Sequence, residues 1–156
     1  MVDRGTEDGA RDRILSPLHL RHRGPVGVGH NRGMIMSDII ERLLLRNLQE
    51  VFGQGDPVRR RAAIDELYTE DCTVLLPIGR YVGRAALDQI AGELRASHPS
   101  FVYTPHRRPQ AVQDGGRLAW GSGSPDEPPS YTGVDVIIVR DGKIAALYVF
   151  LDAPPA

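Results

Sequence analysis

Asp135 is the side chain whose type and position most invite chemistry. It stands in YTGVDVIIVRDGKI, residues 131–144, which alternates at the two-residue period of a strand. Asp135 is in phase with Ile137 and Val139, so a carboxyl shares a strand face with apolar side chains. A poorly hydrated carboxyl flanked by Val134, Val136 and Ile137 should keep its proton to higher pH than usual. When neutral it can donate a hydrogen bond, and when ionised it can act as a base. A second account stays open: a buried acid bonded to a Tyr, a Trp or a backbone amide, with no chemistry.

The other candidates are aromatic. Tyr81, Tyr103, Trp120, Tyr148 and Phe150 fall in segments with strand character, where they either pack a core or line a pocket. Trp120 and Tyr148 stand out because each has a polar tip that needs a partner when buried. Tyr148 is in phase with Phe150 and with Asp152, and Asp152 is expected at an exposed end. His98 precedes Pro99 at a helix end and is expected to meet the helix dipole. His106, beside Arg107 and Arg108, is expected to face solvent. No His or Cys pair has ligand spacing, so no metal is expected. No nucleophile has an adjacent base. GPVGVGHNRG, residues 24–33, has Arg32 where a nucleotide loop needs its third glycine, and no strand precedes it. No cofactor is expected.

The elements that would position these groups follow from periodicity and caps. Ser37 is a plausible N-cap for a helix carrying Ile39, Ile40, Leu43, Leu44, Leu48, Val51 and Phe52, with Gly53 as its C′ residue. Asp56 and Pro57 start a second helix to about Tyr68. Its expected apolar face is Ala62, Ala63 and Leu67, with Arg59, Arg60 and Arg61 in water. A short strand ends at Pro77, and IGRYVG makes a turn and a strand stub. A third helix after Gly83 places Leu87, Ile90, Ala91 and Leu94 on one side. FVYTP, QAVQD, RLAWGSG, YTGVDVIIV and KIAALYVFL then read as strands, with DGGR and RDGK as hairpin turns. GSGSPDEPPS is a longer loop near a rim. This is an α+β order. The last two strands are apolar on both faces, three helices cover one, and a second copy is expected on the other: a homodimer.

The totals exclude several classes. The 156 residues suffice for one domain, with 41% hydrophobic and 25% charged residues. A net charge of -1 gives no electrostatic reason for nucleic acid or an anionic membrane as partner. Cys72 is the sole cysteine, so no internal disulfide exists, and a cytoplasmic location is expected. No apolar run reaches the roughly 20 residues of a membrane span. Residues 1–36 mix Arg, Asp, Gly, His and Pro without periodicity and lack a secretory h-region. They are expected to be a disordered extension. Met34 and Met36 stand just before the helix start, which makes an over-long gene start one account of that extension. The domain is then 37–152 and the tail 153–156.

From Ser37 to Asp152 the chain resembles the nuclear transport factor 2-like superfamily, and within it the SnoaL-like polyketide cyclase branch. The stretches that carry the resemblance are AAIDELYTEDCTVLLP, GRYVGRAALDQI and TGVDVIIVRDGKIAALYVFLD. It implies a cystatin-like cone: a curved, mostly antiparallel sheet around a pocket, with three N-terminal helices on one face. It also implies a choice among isomerases, cyclases, dehydratases, epoxide hydrolases and proteins without chemistry. By this resemblance Asp135 falls near the position where steroid isomerases keep a protonated aspartic acid. Their catalytic base falls near Leu76 and their oxyanion tyrosine near Asn47, which keeps an amide donor. Val149 stands near one Asp of the epoxide hydrolases. The cyclase pattern, one Asp with a nearby His, leaves His98 and His106 open. The resemblance and the residues together imply a small hydrophobic ligand. Asp135 is the catalytic candidate, and Tyr81, Trp120, Asp135, Tyr148, Phe150 and Asn47 are the binding candidates. The alternative is a non-catalytic dimer module whose cone is filled by its own side chains.

Overall fold

The computed structural model describes residues 28–152, with side chains from residue 35 onward. Of the extension expected over 1–36, residues 1–27 lie outside the described residues, as does the tail over 153–156; residues 28–36 lie in the first helix instead. Helix α1 spans Val28–Arg46 and continues as a π-helical segment over Asn47–Phe52. Ser37 therefore lies within the helix instead of capping it. No proline falls between Val28 and Ser37, and nothing there compels the helix to begin at Ser37.

The π-helical segment has a sequence cause. Ile40, Leu44, Leu48 and Phe52 are spaced by four and are all buried. Each such step overshoots the 3.6 residues of an α-turn. A wider turn takes up the drift and keeps the stripe on the core. The segment closes with Gly53 N–H donating to the Leu48 carbonyl at 2.9 Å. Gly53 is not a left-handed cap, since its φ is -85°. Its lack of Cβ matters because one would lie 2.9 Å from Leu48 O.

Helix α2, Pro57–Leu67, begins as the caps require: Asp56 Oδ1 accepts from Val58 N at 2.8 Å and from Arg59 N at 3.1 Å. Its buried face is Arg60, Ala63, Ile64 and Leu67, whereas Ala62 is exposed. Arg60 is thus turned inward, not into water. Its Nε donates to Asp88 Oδ1 at 3.0 Å and its Nη1 to Gln54 O at 3.2 Å, which ties α2 to the third helix. Gly92 leaves room for this guanidinium, since a Cβ there would lie 2.8 Å from Arg60 Nη2.

Strands β1 (Tyr68–Leu76) and β2 (Gly79–Val82) precede α3 (Arg84–Ser97). Strands β3 (Val102–Pro105), β4 (Gln110–Val112), β5 (Gly115–Gly123), β6 (Tyr131–Arg140) and β7 (Lys143–Leu151) follow. They form one curved sheet in the order β2-β1-β7-β6-β5-β3, with β4 on β5. Only β1 and β7 run parallel. The RDGK turn is as expected, with φ of 53° at Asp141 and 74° at Gly142. The DGGR turn is not: Gln113 takes the positive φ of 52°, and Gly115 and Gly116 lie in β5. Gly116 is where α1 crosses, since a Cβ there would lie 2.3 Å from Ile40 Cγ2.

All three helices pack on the concave face, α1 against β5 and β6, α2 against β1 and β7, and α3 against β1 and β2. The core between them includes Leu44, Leu48, Ile64, Leu67, Tyr68, Leu87, Leu118, Ile137 and Leu147, all at most 1% exposed. The convex face carries no helix among the described residues. Val134, Val136 and Ile138 of β6 lie there beside Tyr148 and Phe150 of β7. No helix among the described residues is long and apolar enough to cross a membrane.

Candidate functional site

Alternation along β6 turns Gly133, Asp135, Ile137 and Val139 to the concave face, where all are buried. Asp135 is 2% exposed. Its register partners are Leu118 on β5 and Val149 on β7. Trp120 is two residues beyond Leu118 on the same face and pairs with Gly133. The indole lies against Gly133, where a Cβ would come within 2.6 Å of Trp120 Cζ2. That approach lets Trp120 Nε1 donate to Asp135 Oδ1 at 2.8 Å.

The second carboxyl oxygen faces the π-helical segment. Asn47 Nδ2 donates to Asp135 Oδ2 at 3.4 Å, a long contact, and Asn47 Oδ1 accepts from the Tyr68 hydroxyl at 2.5 Å. Tyr68 and Asn47 are fully buried and Trp120 is 4% exposed. The acid thus ends a buried chain of Tyr68, Asn47, Asp135 and Trp120. No cation meets the acid among the described residues. Burial pushes the Asp135 carboxyl up to about 7, against the opposing pull of the Trp120 and Asn47 donors. Around neutral pH the neutral and ionised forms are both accessible.

Asp135 forms part of the wall of a hollow of about 250 Å³. Leu48 and Phe52 of the π-helical segment line one side, and Leu76, Pro77 and Ile78 line another. Leu94, Ser97 and His98 close the end of α3, while Tyr103, Trp120, Tyr131, Val149 and Leu151 complete the sheet side. The wall is apolar and aromatic around one acid, the composition expected of a small-molecule site.

The structure divides the sequence-derived candidates. Trp120 and Asp135 meet, and Asn47 supports the acid from behind. Tyr81 pairs with Val74 on β1 and packs against the core, but it does not line the hollow. Tyr148 and Phe150 lie on the convex face, 41% and 58% exposed. The cause is a register shift. A bulge-free hairpin closing at Arg140 and Lys143 would set Tyr148 opposite Asp135. Ala145 is an extra residue on β7, between the pairs Val139–Ile144 and Ile138–Ala146, so Val149 faces the hollow instead.

Several lining residues, His98 and Tyr131 among them, were not among the binding candidates. His98 closes α3 but also stacks on Phe101, with ring centroids 4.5 Å apart, and meets Tyr131 edge-on at 6.3 Å. The Ser97 hydroxyl donates to Leu94 O at 2.6 Å and lies 3.0 Å from His98 Nδ1. With its proton so used, Ser97 accepts from Nδ1–H, which leaves Nε2 with the free lone pair in the neutral ring. His106 is exposed as expected. It lies against Gly121, which faces away from the hollow. Tyr131 is in phase with Asp135, and that phase was the signal that could have found it. Among the described residues no three His, Cys, Asp or Glu side chains gather as a metal site would require.

The comparisons agree with this architecture. A family model described as "SnoaL-like domain" matches residues 45–147. No curated protein matches the chain. Among solved structures, a candidate isomerase of the SnoaL-like family from Agrobacterium tumefaciens superposes with a TM-score of 0.69 at 20% identity, covering 74% of this chain and 99% of that one. A candidate SnoaL-like polyketide cyclase from a Jannaschia species gives 0.62 at 15% identity, covering 77% and 96%. A candidate ketosteroid isomerase from Kribbella flavida gives 0.56 at 20% identity, covering 77% and 85%. At such identities the likeness to solved structures shows the fold alone.

Proposed function

The chain belongs to the SnoaL-like family, and from that premise we propose that its hollow binds a small hydrophobic molecule on which Asp135 acts as acid or base. The observation that carries this reading is a carboxyl 2% exposed, without a countercharge, at the wall of an open apolar hollow. A neutral Asp135 donates a hydrogen bond, or its proton, to an oxygen of the ligand. The ionised form takes a proton from it. Isomerisation, cyclisation and hydrolysis-type reactions are all built on such transfers. Trp120 and Asn47 are positioning residues: they fix the carboxyl and ease its ionisation.

Leu76, where the resemblance puts the steroid-isomerase base, lines the hollow with a side chain that takes no proton. His98 on the same wall supplies the second group able to transfer one. This favours an Asp–His pair over a steroid-isomerase arrangement. The open hollow also argues against a cone filled by its own side chains. The test is a panel of aromatic ketones and phenols read by thermal shift. The expected result is a raised melting temperature for wild type and a loss or altered pH dependence of that shift in Asp135→Asn. A panel without any shift in wild type overturns the reading.

We propose further that the protein is a homodimer joined by the convex faces of its sheets. Ile138, Tyr148 and Phe150 are 37%, 41% and 58% exposed on one continuous surface with Val134 and Val136. A net charge of -1 sets little repulsion between two copies.

A further inference from the structure

Ser122 is a described residue that the acid-centred reading leaves without a purpose. It is 1% exposed, and its hydroxyl makes no close hydrogen bond among the described residues, the Tyr103 phenol being the polar group that it faces. A buried hydroxyl left unpaired destabilises the fold, so native structures rarely keep one without a use.

Its neighbours suggest the use. Ser122 pairs with Tyr103 on β3 and with Tyr131 on β6, so the three form one row across three strands. Ser122 is two residues from Trp120, and Tyr131 is four from Asp135, so alternation sets the row on the face of the acid. Tyr103 and Tyr131 line the hollow, and Ser122, which does not, stands between them on β5. Trp120 stands between them and the acid, meeting Tyr103 at 5.3 Å and Tyr131 at 6.1 Å, both edge-on. Burial, and next the Tyr131 hydroxyl beside it, hold the Tyr103 phenol protonated well above its usual range. It is therefore a donor at any working pH.

We propose that Tyr103 and Tyr131, with Ser122 between them on β5, form a second polar anchor of the hollow, one that takes an oxygen atom of the ligand at the end away from Asp135. The proposal rests on the ligand-binding reading above and sharpens it. Along β5, Ser122 lies four residues beyond Leu118, the partner of Asp135, which is about 13 Å of strand. The rest of the lining is aliphatic and aromatic apart from Ser97 and His98 at the end of α3. The ligand class that fits is a flat apolar body with an oxygen function at each end, not a hydrocarbon with one.

The probes are para-hydroxybiphenyl and para,para′-dihydroxybiphenyl, titrated by calorimetry into the full chain at about pH 6, where most of Asp135 is neutral. The expected result is that the two-oxygen probe binds wild type at least about ten-fold tighter. Ser122→Ala and Tyr103→Phe should each cut that advantage to about two-fold or less. Ligand-free Ser122→Ala should melt at or above wild type, because it removes a buried hydroxyl that lacks a close partner; a merely structural serine would not couple kept stability to lost discrimination. Equal binding of both probes to wild type, or an advantage that survives both substitutions, overturns the anchor and leaves the hollow standing. If neither probe binds wild type, the ligand-binding reading falls and the anchor with it.

Discussion

Trp120 and Asp135 sit on neighbouring strands, two residues out of register, yet the indole N–H reaches the carboxyl at 2.8 Å because Gly133 leaves the ring room to lie flat. The acid, its donor and the gap that joins them are one unit, and each part can be tested separately.

The first test is pH. The folded Asp135 binds its proton up to about pH 7, against 3.8 for an aspartate side chain in water. Between those values the folded state holds the proton more than the unfolded state does. This contribution is therefore fully present at low pH and is lost as pH rises through about 7. The slope approaches about 1.4 kcal/mol per pH unit for this group alone. Urea unfolding of wild type and Asp135→Asn should diverge by about 2 kcal/mol between pH 5 and pH 8. Parallel profiles would show that the carboxyl does not titrate there. A ligand that needs the neutral acid should weaken over the same rise in pH.

Trp120→Phe removes the stronger of the two donors that oppose burial. The Asp135 midpoint should move above about 7, read from the carboxyl carbon shift in NMR titration. The smaller ring and the unpaired oxygen should together cost about 1–3 kcal/mol of stability. A midpoint that falls would contradict the hydrogen bond's role.

Gly133→Ala tests the gap. The added methyl would lie 2.6 Å from Trp120 Cζ2 and 2.6 Å from Phe150 O, so the indole must shift. A loss of about 1–3 kcal/mol is expected. The chain has one tryptophan, so its fluorescence reports this site alone, and its spectrum should change with the substitution. An unaltered spectrum and stability would sink the packing argument.

The proposed dimer gives the fourth test. Phe150→Asp should yield a monomer by light scattering at a concentration where wild type has twice the monomer mass. Phe150 does not line the hollow, so ligand shifts should persist in the monomer. A wild-type chain that is already monomeric removes this proposal.

Much of the architecture was legible because local rules and global fold agree. Asp56 before Pro57, the strand alternation around Asp135 and the RDGK turn each led to the observed element. The polar tip of Trp120 marked it as a buried donor in search of a partner. What escaped were places where one residue changes a face. Arg60 turns inward only because Gly92, on another helix, leaves space. The π-helical segment hid in a four-residue spacing that passes for an ordinary helix stripe. Tyr148 and Phe150 were pocket candidates as aromatics on a strand, and they would face the hollow only in a hairpin without the bulge. Ile144 and Leu147, both buried though three apart, carry the trace of that bulge. His98 was set aside because its place at a helix end explained it without the aromatic cluster that the fold builds around it.

Ala145 has a reach beyond its own size. Deleting it would slide the distal half of the final hairpin by one position and swap Val149 for tyrosine across from the acid. Length variation by one codon in that hairpin is thus a switch for the chemical character of an entire wall. Homologues with and without the extra residue should prefer different ligands even where the acid and its tryptophan are retained.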